Sequence, residues 1–578
     1  ERILMADEIV RHADRYFEWK VWQPLLQYTG GNPLTLQVLV TQAVRDGIRT
    51  QEAMRDFVEQ LRRGEVNFHD DATQGRSKSL GASLAYGYDA AFSEEERAQL
   101  AVLHLFQGFV DANALVHMGH DISDNTLSAL NGKDSDYFVS LLDKASNIGV
   151  LRKLGGIWYD IHPALPWFLK TEFETHYPTP DERERAQLAY TEAIGYWGNK
   201  YANKYMSGQR DVIHLLAREE SNLLHARRFA ISNQRWGDVI ETMQGLSMLY
   251  NLHGRHGERR YLVKEIIPYF CHPETDMPLP DRTTEQWSLI MQYRVRILQE
   301  ERDWEEAERL QLIRTTVWRD ETQILLNKSI DILTDNERSQ IRSLSMSMGE
   351  LARIQREQGE VICINNYKEA YDLLLRIEDL SAAATVAFNL GHAYRKTGAA
   401  SDLENAEKWY QRSLDLTPKG DFWGRATSLG QLGLVAYERF IEVRAEKNWE
   451  NATEHIRTAL THYQDALSLF PANAINELAV THNQLGIIYR SVGEITQALD
   501  HYQKSVHYDE QADNHYSAAN TRYNMALLFE SQGQFEHAMV YTDATLKGYQ
   551  LYGERTAQEQ AKVMRLIERI KAEMQGGE

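Results

Sequence analysis

Few residues in this chain have the types and spacing that chemistry needs. A phosphate-cradling loop reads G-x-x-x-x-G-K-[ST], because backbone N–H groups wrap the phosphates and the lysine neutralises them. The one adjacent Gly-Lys pair, Gly132-Lys133, runs on into Asp134. The paired acids Asp70-Asp71 follow Asn67-Phe68-His69, a polar stretch and not an apolar strand end, so they do not read as a Mg²⁺ site. His117-x-x-His120 and His253-x-x-His256 have the spacing of metal ligands one helical turn apart. Neither has a nearby cysteine or the added glutamate of a zinc protease, so both pairs read as satisfied or exposed histidines. No G-x-S-x-G elbow occurs, and two cysteines, Cys271 and Cys363, cannot form a disulfide framework or a thiolate cage. No catalytic residue and no metal ligand are expected. Three features remain: a turn at Gly30-Gly31-Asn32-Pro33, His162 at the end of a hairpin, and side-chain amides at Asn389, Gln431, Gln484 and Asn524.

The rest of the composition narrows the class. The chain has 578 residues, 43% of them apolar and 25% charged, which is ordinary globular usage. Its formal charge of −20 argues against a nucleic-acid or anionic-membrane partner, since phosphate binding needs clustered positive charge. No apolar run is long enough to span a bilayer. Cysteine usage fits a reducing cytoplasm. The first residue is Glu1, with no signal-type apolar region after it, and the expectation is a processed or truncated piece of a longer protein.

Positioning these features takes two kinds of element. The Gly-Gly-Asn-Pro turn follows a helix ending near Tyr28 and starts another, with Pro33 in its first turn. Ser93-Glu94-Glu95-Glu96 is a capping box that opens a helix carrying Leu100, Leu103 and Leu105. Asp111 caps a second helix ending near Gly119, and a third runs from about Asp134 to Gly149. Residues 150–154 and 157–161 read as strands joined at Gly155-Gly156, with His162-Pro163 leading into another helix. Three helices and a hairpin make a winged helix. Its third helix has Lys144 as the only base against Asp134, Asp136 and Asp143, a poor footprint for DNA.

The second half repeats. Leu390-Gly391-His392-Ala393-Tyr394 recurs as Leu485-Gly486-Ile487-Ile488-Tyr489 and, conservatively, as Met525-Ala526-Leu527-Leu528-Phe529. Ala406…Tyr410, Ala459…Tyr463 and Ala498…Tyr502 supply a small residue and an aromatic one turn later in the partner helix. Pro418 and Pro471 close their units, and Gly493 and Gly533 break the chain between helices. The copies at Met348, Leu390, Leu432, Leu485 and Met525 follow one another after 42, 42, 53 and 40 residues, and the extra residues are expected between paired helices, for instance around Ile441–Asn451. Arg302-Asp303-Trp304-Glu305-Glu306-Ala307 looks like an earlier unit. These are tetratricopeptide-like repeats, whose concave faces usually bind proteins or peptides. The four amides fall at one position of the first helix, where a column can donate to and accept from a peptide backbone. This is similar to the asparagine ladder of peptide-binding tetratricopeptide proteins.

The N-terminal features resemble the NB-ARC group of STAND signalling switches. Gly31 and Pro33 match its Gly-x-Pro motif, and the resemblance implies that Pro33 packs on adenine and that His162 reaches the β-phosphate. The triplet Ile161-His162-Pro163 departs from the family's Met-His-Asp at its last residue. Glu220-Ser221-Asn222-Leu223, Trp236-Gly237-Asp238 and Leu252-His253-Gly254 look like the helical linker of such proteins. The expected fold is mainly α: a winged helix with a small β-hairpin, then an α-solenoid. The expected domains are 1–80 (helical lobe), 81–178 (winged helix), 179–284 (linker) and 285–578 (repeat sensor). The resemblance implies ADP or ATP bridging to an upstream P-loop lobe, a protein or peptide trigger, an upstream effector, and self-association, with defence as the setting. This stretch cannot hydrolyse ATP alone. Two alternatives stay open: a tetratricopeptide scaffold without nucleotide, and a transcription regulator of the AfsR or MalT kind.

Overall fold

A computed structural model describes residues 19–29, 43, 47–63, 88, 91–120, 127–147, 150–161, 165–206, 209–397 and 400–576. The chain divides into two compact units, 1–273 with 278–290 and 274–277 with 291–578.

In the first unit, α1 (Trp19–Thr29) and α2 (Gln51–Arg63) close over Trp22, Leu25, Met54 and Phe57. A winged helix follows, built from α3 (Glu94–Ala101), β1 (Phe109–Asp111), α4 (Ala112–Met118), α5 (Ser135–Asn147), β2 (Leu151–Gly155) and β3 (Trp158–Ile161). The capping box forms as its residues require. Glu96 N donates to Ser93 Oγ at 3.2 Å and Ser93 N to Glu96 Oε2 at 2.8 Å, a type of contact that contributes about 1 kcal/mol. Asp111 caps α4 through Asn113 N at 2.9 Å. The hairpin turns at Gly156 (φ +53°), a left-handed conformation that glycine adopts without steric cost. Gly155 belongs to the strand, one residue off the expected turn.

The sheet has three antiparallel strands in the order β1-β3-β2, with Val110 opposite Tyr159 and Arg152 opposite Asp160. The third strand, β1, is an addition to the expected hairpin. It has three residues, all buried, and so offers no alternation to read. Helices α6 (Pro166–His176), α7 (Pro180–Met206), α8 (Ile213–Ser232), α9 (Trp236–Leu252) and α10 (His256–Ile266) complete the unit, and α11 (Thr284–Glu301) contains the division.

The second unit is an α-solenoid of antiparallel helix pairs. After α12 (Trp304–Thr322) come α13 (Asp335–Gln358) with α14 (Cys363–Arg376), α15 (Leu380–Thr397) with α16 (Ala400–Leu416), and α17 (Phe422–Ala445) with α18 (Trp449–Leu469). The pairs α19 (Ile475–Ser491) with α20 (Ile495–Gln511) and α21 (His515–Ser531) with α22 (Phe535–Gln550) follow, then α23 (Ala557–Gly576). A methyl group placed on Gly391, Gly433 or Gly486 would lie 2.5, 2.9 or 2.5 Å from the ring of Tyr410, Tyr463 or Tyr502. The missing side chain is therefore the seat of the partner helix's tyrosine, and the rings are buried there. The last pair has Ala526 and Thr542 at the corresponding positions, a larger small residue facing a smaller partner. The 53-residue repeat differs from expectation. Its surplus lengthens both helices, α17 to 24 residues and α18 to 21, around a turn at 446–448. Added helical turns satisfy their own backbone hydrogen bonds, whereas a longer loop would leave those groups to water.

Candidate functional site

Gly31, Pro33 and His162 lie outside the described residues. The amide column lies within them, on α15, α17, α19 and α21, and the first helices α17, α19 and α21 touch in succession. Its four members differ in what already holds them. Asn389 donates from Nδ2 to Thr385 O at 3.1 Å, and its Oδ1 accepts a long bond of 3.5 Å from Arg356. Asn524 donates to Asn483 Oδ1 of the preceding first helix at 3.0 Å. Between them, Gln431 and Gln484 are half-buried, and Oε1 of Gln431 is buried with no hydrogen-bond partner. Two amides thus help join neighbouring repeats, and the middle two keep unused capacity.

The surroundings of Gln431 are mixed. Glu438, seven residues on and on the same face of α17, takes Arg395 of α15 at 2.9 Å through Oε1, while its Oε2 is buried without a partner. Tyr437 OH meets Ser491 Oγ at 2.8 Å. His392 stacks edge-on to Phe388, ring centres 4.6 Å apart. Burial, aided by the positive charges of Arg356 and Arg395, lowers its pKa to about 4, so the ring is neutral at pH 7. The column thus runs beside two ion pairs, Arg395–Glu438 and Arg356–Glu357.

Three other places were chemical candidates. His117 stacks on Tyr196 with ring centres 4.4 Å apart, and His120 Nδ1 bonds Val116 O at 2.7 Å. Among the described residues, no group of three or more His, Cys, Asp or Glu is placed to hold a metal ion, and no helix is long and apolar enough to cross a membrane. Both cysteines are free and buried. On the winged helix, Lys144 pairs with Glu96 at 2.9 Å, Lys133 with Glu95 at 2.9 Å, Lys153 with Asp143 at 2.7 Å, and Arg152 with Asp160. Those charges are matched within the domain.

Two polar groupings escaped the sequence reading. His482 and His501 meet Nδ1 to Nδ1 at 2.9 Å between α19 and α20. The larger grouping is a buried seam between the winged helix and α7–α8. Asn222 Oδ1 accepts from Gln107 N at 2.6 Å and from Tyr190 OH at 3.2 Å. Its Nδ2 donates to Phe109 O at 2.9 Å and to Glu219 Oε2 at 2.7 Å. Asp111 accepts from Tyr201 OH and from Trp158 Nε1 at 3.3 Å. Asp111 and Asn222 are wholly buried, and Glu219 is 1% exposed. Burial raises both carboxyl pKa values, that of Glu219 to about 8. Partners 90 to 115 residues apart carry no local signal, although the acid-Asn-Leu run at 220–223 marks the helix that supplies Asn222.

Comparison with known proteins agrees with the repeats. Two family models described as tetratricopeptide repeat match residues 477–550 and 384–419. No curated protein matches. Among solved structures, the chain is similar to a signal-transduction ATPase with numerous domains (STAND) and a tetratricopeptide repeat sensor from Pyrococcus horikoshii. That match has 14% identity and a TM-score of 0.41, over 92% of this chain and 74% of that one. It is also similar to a Rap protein complexed with Competence and Sporulation Factor, at 11% identity and a TM-score of 0.34, over 67% of this chain and 100% of the other. A third is a tetratricopeptide protein with an unusual peptide-binding site, at 18% identity and a TM-score of 0.23, over 38% and 92%.

Proposed function

We propose that the repeats bind a protein or peptide trigger in extended form along Asn389, Gln431, Gln484 and Asn524, and that the N-terminal region is the arm of a STAND-type switch. The observation that carries the first part is the unused amide capacity at the centre of the column, with Gln431 Oε1 buried and unpartnered. A peptide backbone presents N–H and C=O groups in alternation, and a side-chain amide can satisfy either. The second part rests on the resemblance of Gly31, Pro33 and His162 to the nucleotide contacts of that family. In this reading ADP spans those residues and a phosphate-binding lobe outside this sequence and holds the protein closed. The trigger favours the open form, and the protomers self-associate in the cytoplasm to activate an effector, as in defence. A trigger shifts this equilibrium only by its difference in affinity for the two forms.

The test is a fluorescence-anisotropy screen of extended peptides, followed by Gln431→Ala with Gln484→Ala. Each lost hydrogen bond is worth about 0.5–1.5 kcal/mol, so the double variant binds a selected peptide about 5- to 150-fold more weakly. Unchanged affinity would remove the column from the site. Nucleotide is tested separately, by ADP binding to the full-length protein and its Pro33→Ala and His162→Ala variants. No binding by any form would leave the repeats as a scaffold.

A further inference from the structure

The seam between the winged helix and α7–α8 is unlike an ordinary domain contact, because it buries two carboxyl groups that feel each other's charge. We propose that it is a releasable latch, in which the winged helix swings off α7–α8 when the buried Glu219 carboxyl gives up its proton beside Asp111. The proposal needs neither the peptide nor the nucleotide reading.

The geometry gives the latch one joint. Asn222 alone satisfies the backbone N–H of Gln107 and the backbone C=O of Phe109, on either side of the entry into β1. Asp111 at the far end of that strand is held by Tyr201 from α7. Trp197 Nε1 reaches Asn113 O at 3.3 Å, and Phe106 packs edge-on to Tyr190 at 5.1 Å. The flaw is at Glu219. Its Oε2 is bound by Asn222, but its Oε1 is buried with no partner. A neutral carboxyl tolerates that position, whereas a carboxylate there meets Asp111 with no cation to balance it.

His225 of α8 lies edge-on to the Tyr190 ring, with ring centres 5.9 Å apart. Strand β1 supplies Asp111, and α7 supplies Tyr190 and Tyr201. Lys204 of α7 acts on Asp111, and Arg228 of α8 acts on Tyr190. Arg218 of α8 lies 3.6 Å from Asp160 of β3. From α9, Asp238 is paired with Arg235, and Glu241 feels Asp238 and Glu192. Asp211, in the turn before α8, is exposed. None of these puts a cation against Glu219 Oε1.

The sign follows from proton counts. The closed seam holds the Glu219 proton up to about pH 8, while an opened, hydrated glutamate loses it near 4.5. Closing therefore binds a proton between those values, and the opening equilibrium rises with pH by up to about tenfold per unit, levelling off above pH 8.

The test is hydrogen exchange on the complete chain from pH 6 to pH 9. The rate of residues 107–112 is divided by that of 344–355 in the repeats, which removes the intrinsic pH effect. The ratio should climb at least tenfold between pH 6 and 8 in the wild type and stay flat in Glu219→Gln, which keeps shape and removes the charge. Tyr201→Phe removes the donor to Asp111 and should raise the ratio at every pH without abolishing its climb. A flat ratio in the wild type overturns the proposal, and so does an equal climb in Glu219→Gln.

Discussion

The two units solve the same problem, holding helices together, with opposite materials. The winged helix is tied to α7–α8 by Asn222, Asp111 and Glu219, a polar seam in which each group depends on the others. The repeats use an apolar fitting, glycine against tyrosine, made again at Gly391, Gly433 and Gly486. Members of a buried polar network strengthen one another, so the loss of one weakens the rest. A row of independent fittings loses one neighbour contact at a time, which is how solenoids behave. The comparison teaches where each unit is vulnerable: the first at one residue and one proton, the second locally and many times over.

The largest test strikes the repeats. Tyr502→Ala empties a buried ring site and should cost about 3–5 kcal/mol. In urea denaturation, the loss should centre on the α19–α20 pair and leave exchange at residues 107–112 unchanged. Asn222→Ala should cost about 2–4 kcal/mol, because it leaves a buried N–H and a buried C=O unpaired. Exchange should then rise across the seam as a block and not at one amide. If it rose only next to residue 222, the seam would not be a unit.

Gly486→Ala comes next, at about 1–3 kcal/mol, since its methyl would press on the Tyr502 ring at 2.5 Å. Combined with Tyr502→Thr, the pairing already present at Ala526 and Thr542, the two changes should cost less together than their sum. Strict additivity in that cycle would show that the fitting is not a coupled pair.

The smallest and sharpest test is pH, because the two places should move in opposite directions. Burial, then the neighbouring His501, lowers the His482 pKa to about 4. The unfolded imidazole titrates near 6.5, so the folded pair binds fewer protons between those values and loosens as pH falls from about 6.5 towards 4. The Glu219 seam loosens as pH rises from about 4.5 to 8. Burial raises the Asp509 pKa on α20 to about 6, which acts the other way over this range, so the comparison is made in Asp509→Asn. Local exchange at α19–α20 of that variant and at 107–112, followed across one pH series, should diverge. Parallel curves would mean that neither site controls its own contact.

What could be read from the sequence divides along the same line. The capping box, the helix cap at Asp111, the Gly-Gly hairpin and the repeat fittings are local patterns, with partners inside one turn or one repeat. They place the winged helix and the α-solenoid. Strand β1 was missed because three buried residues have no period to detect. The inserted turns of α17 and α18 were expected in a loop, since composition around 441–451 does not distinguish a longer hairpin from a longer connection. The amide column was visible as residue type and position. Its unequal engagement was not, because Asn524 is held by Asn483, 41 residues away in the preceding repeat. Asn222 reads as one polar residue in a helix until the chain closes around it.

The glycine–tyrosine fitting also bears on how such an array can change over generations. The fitting sets a steric rule for exchanging helices between repeats. A second helix bearing tyrosine can be copied next to any first helix that keeps glycine, but not next to one that has drifted to alanine, as at Ala526. The copies at Leu390, Leu432 and Leu485 are therefore one interchangeable set, and the final pair, with Thr542, stands outside it.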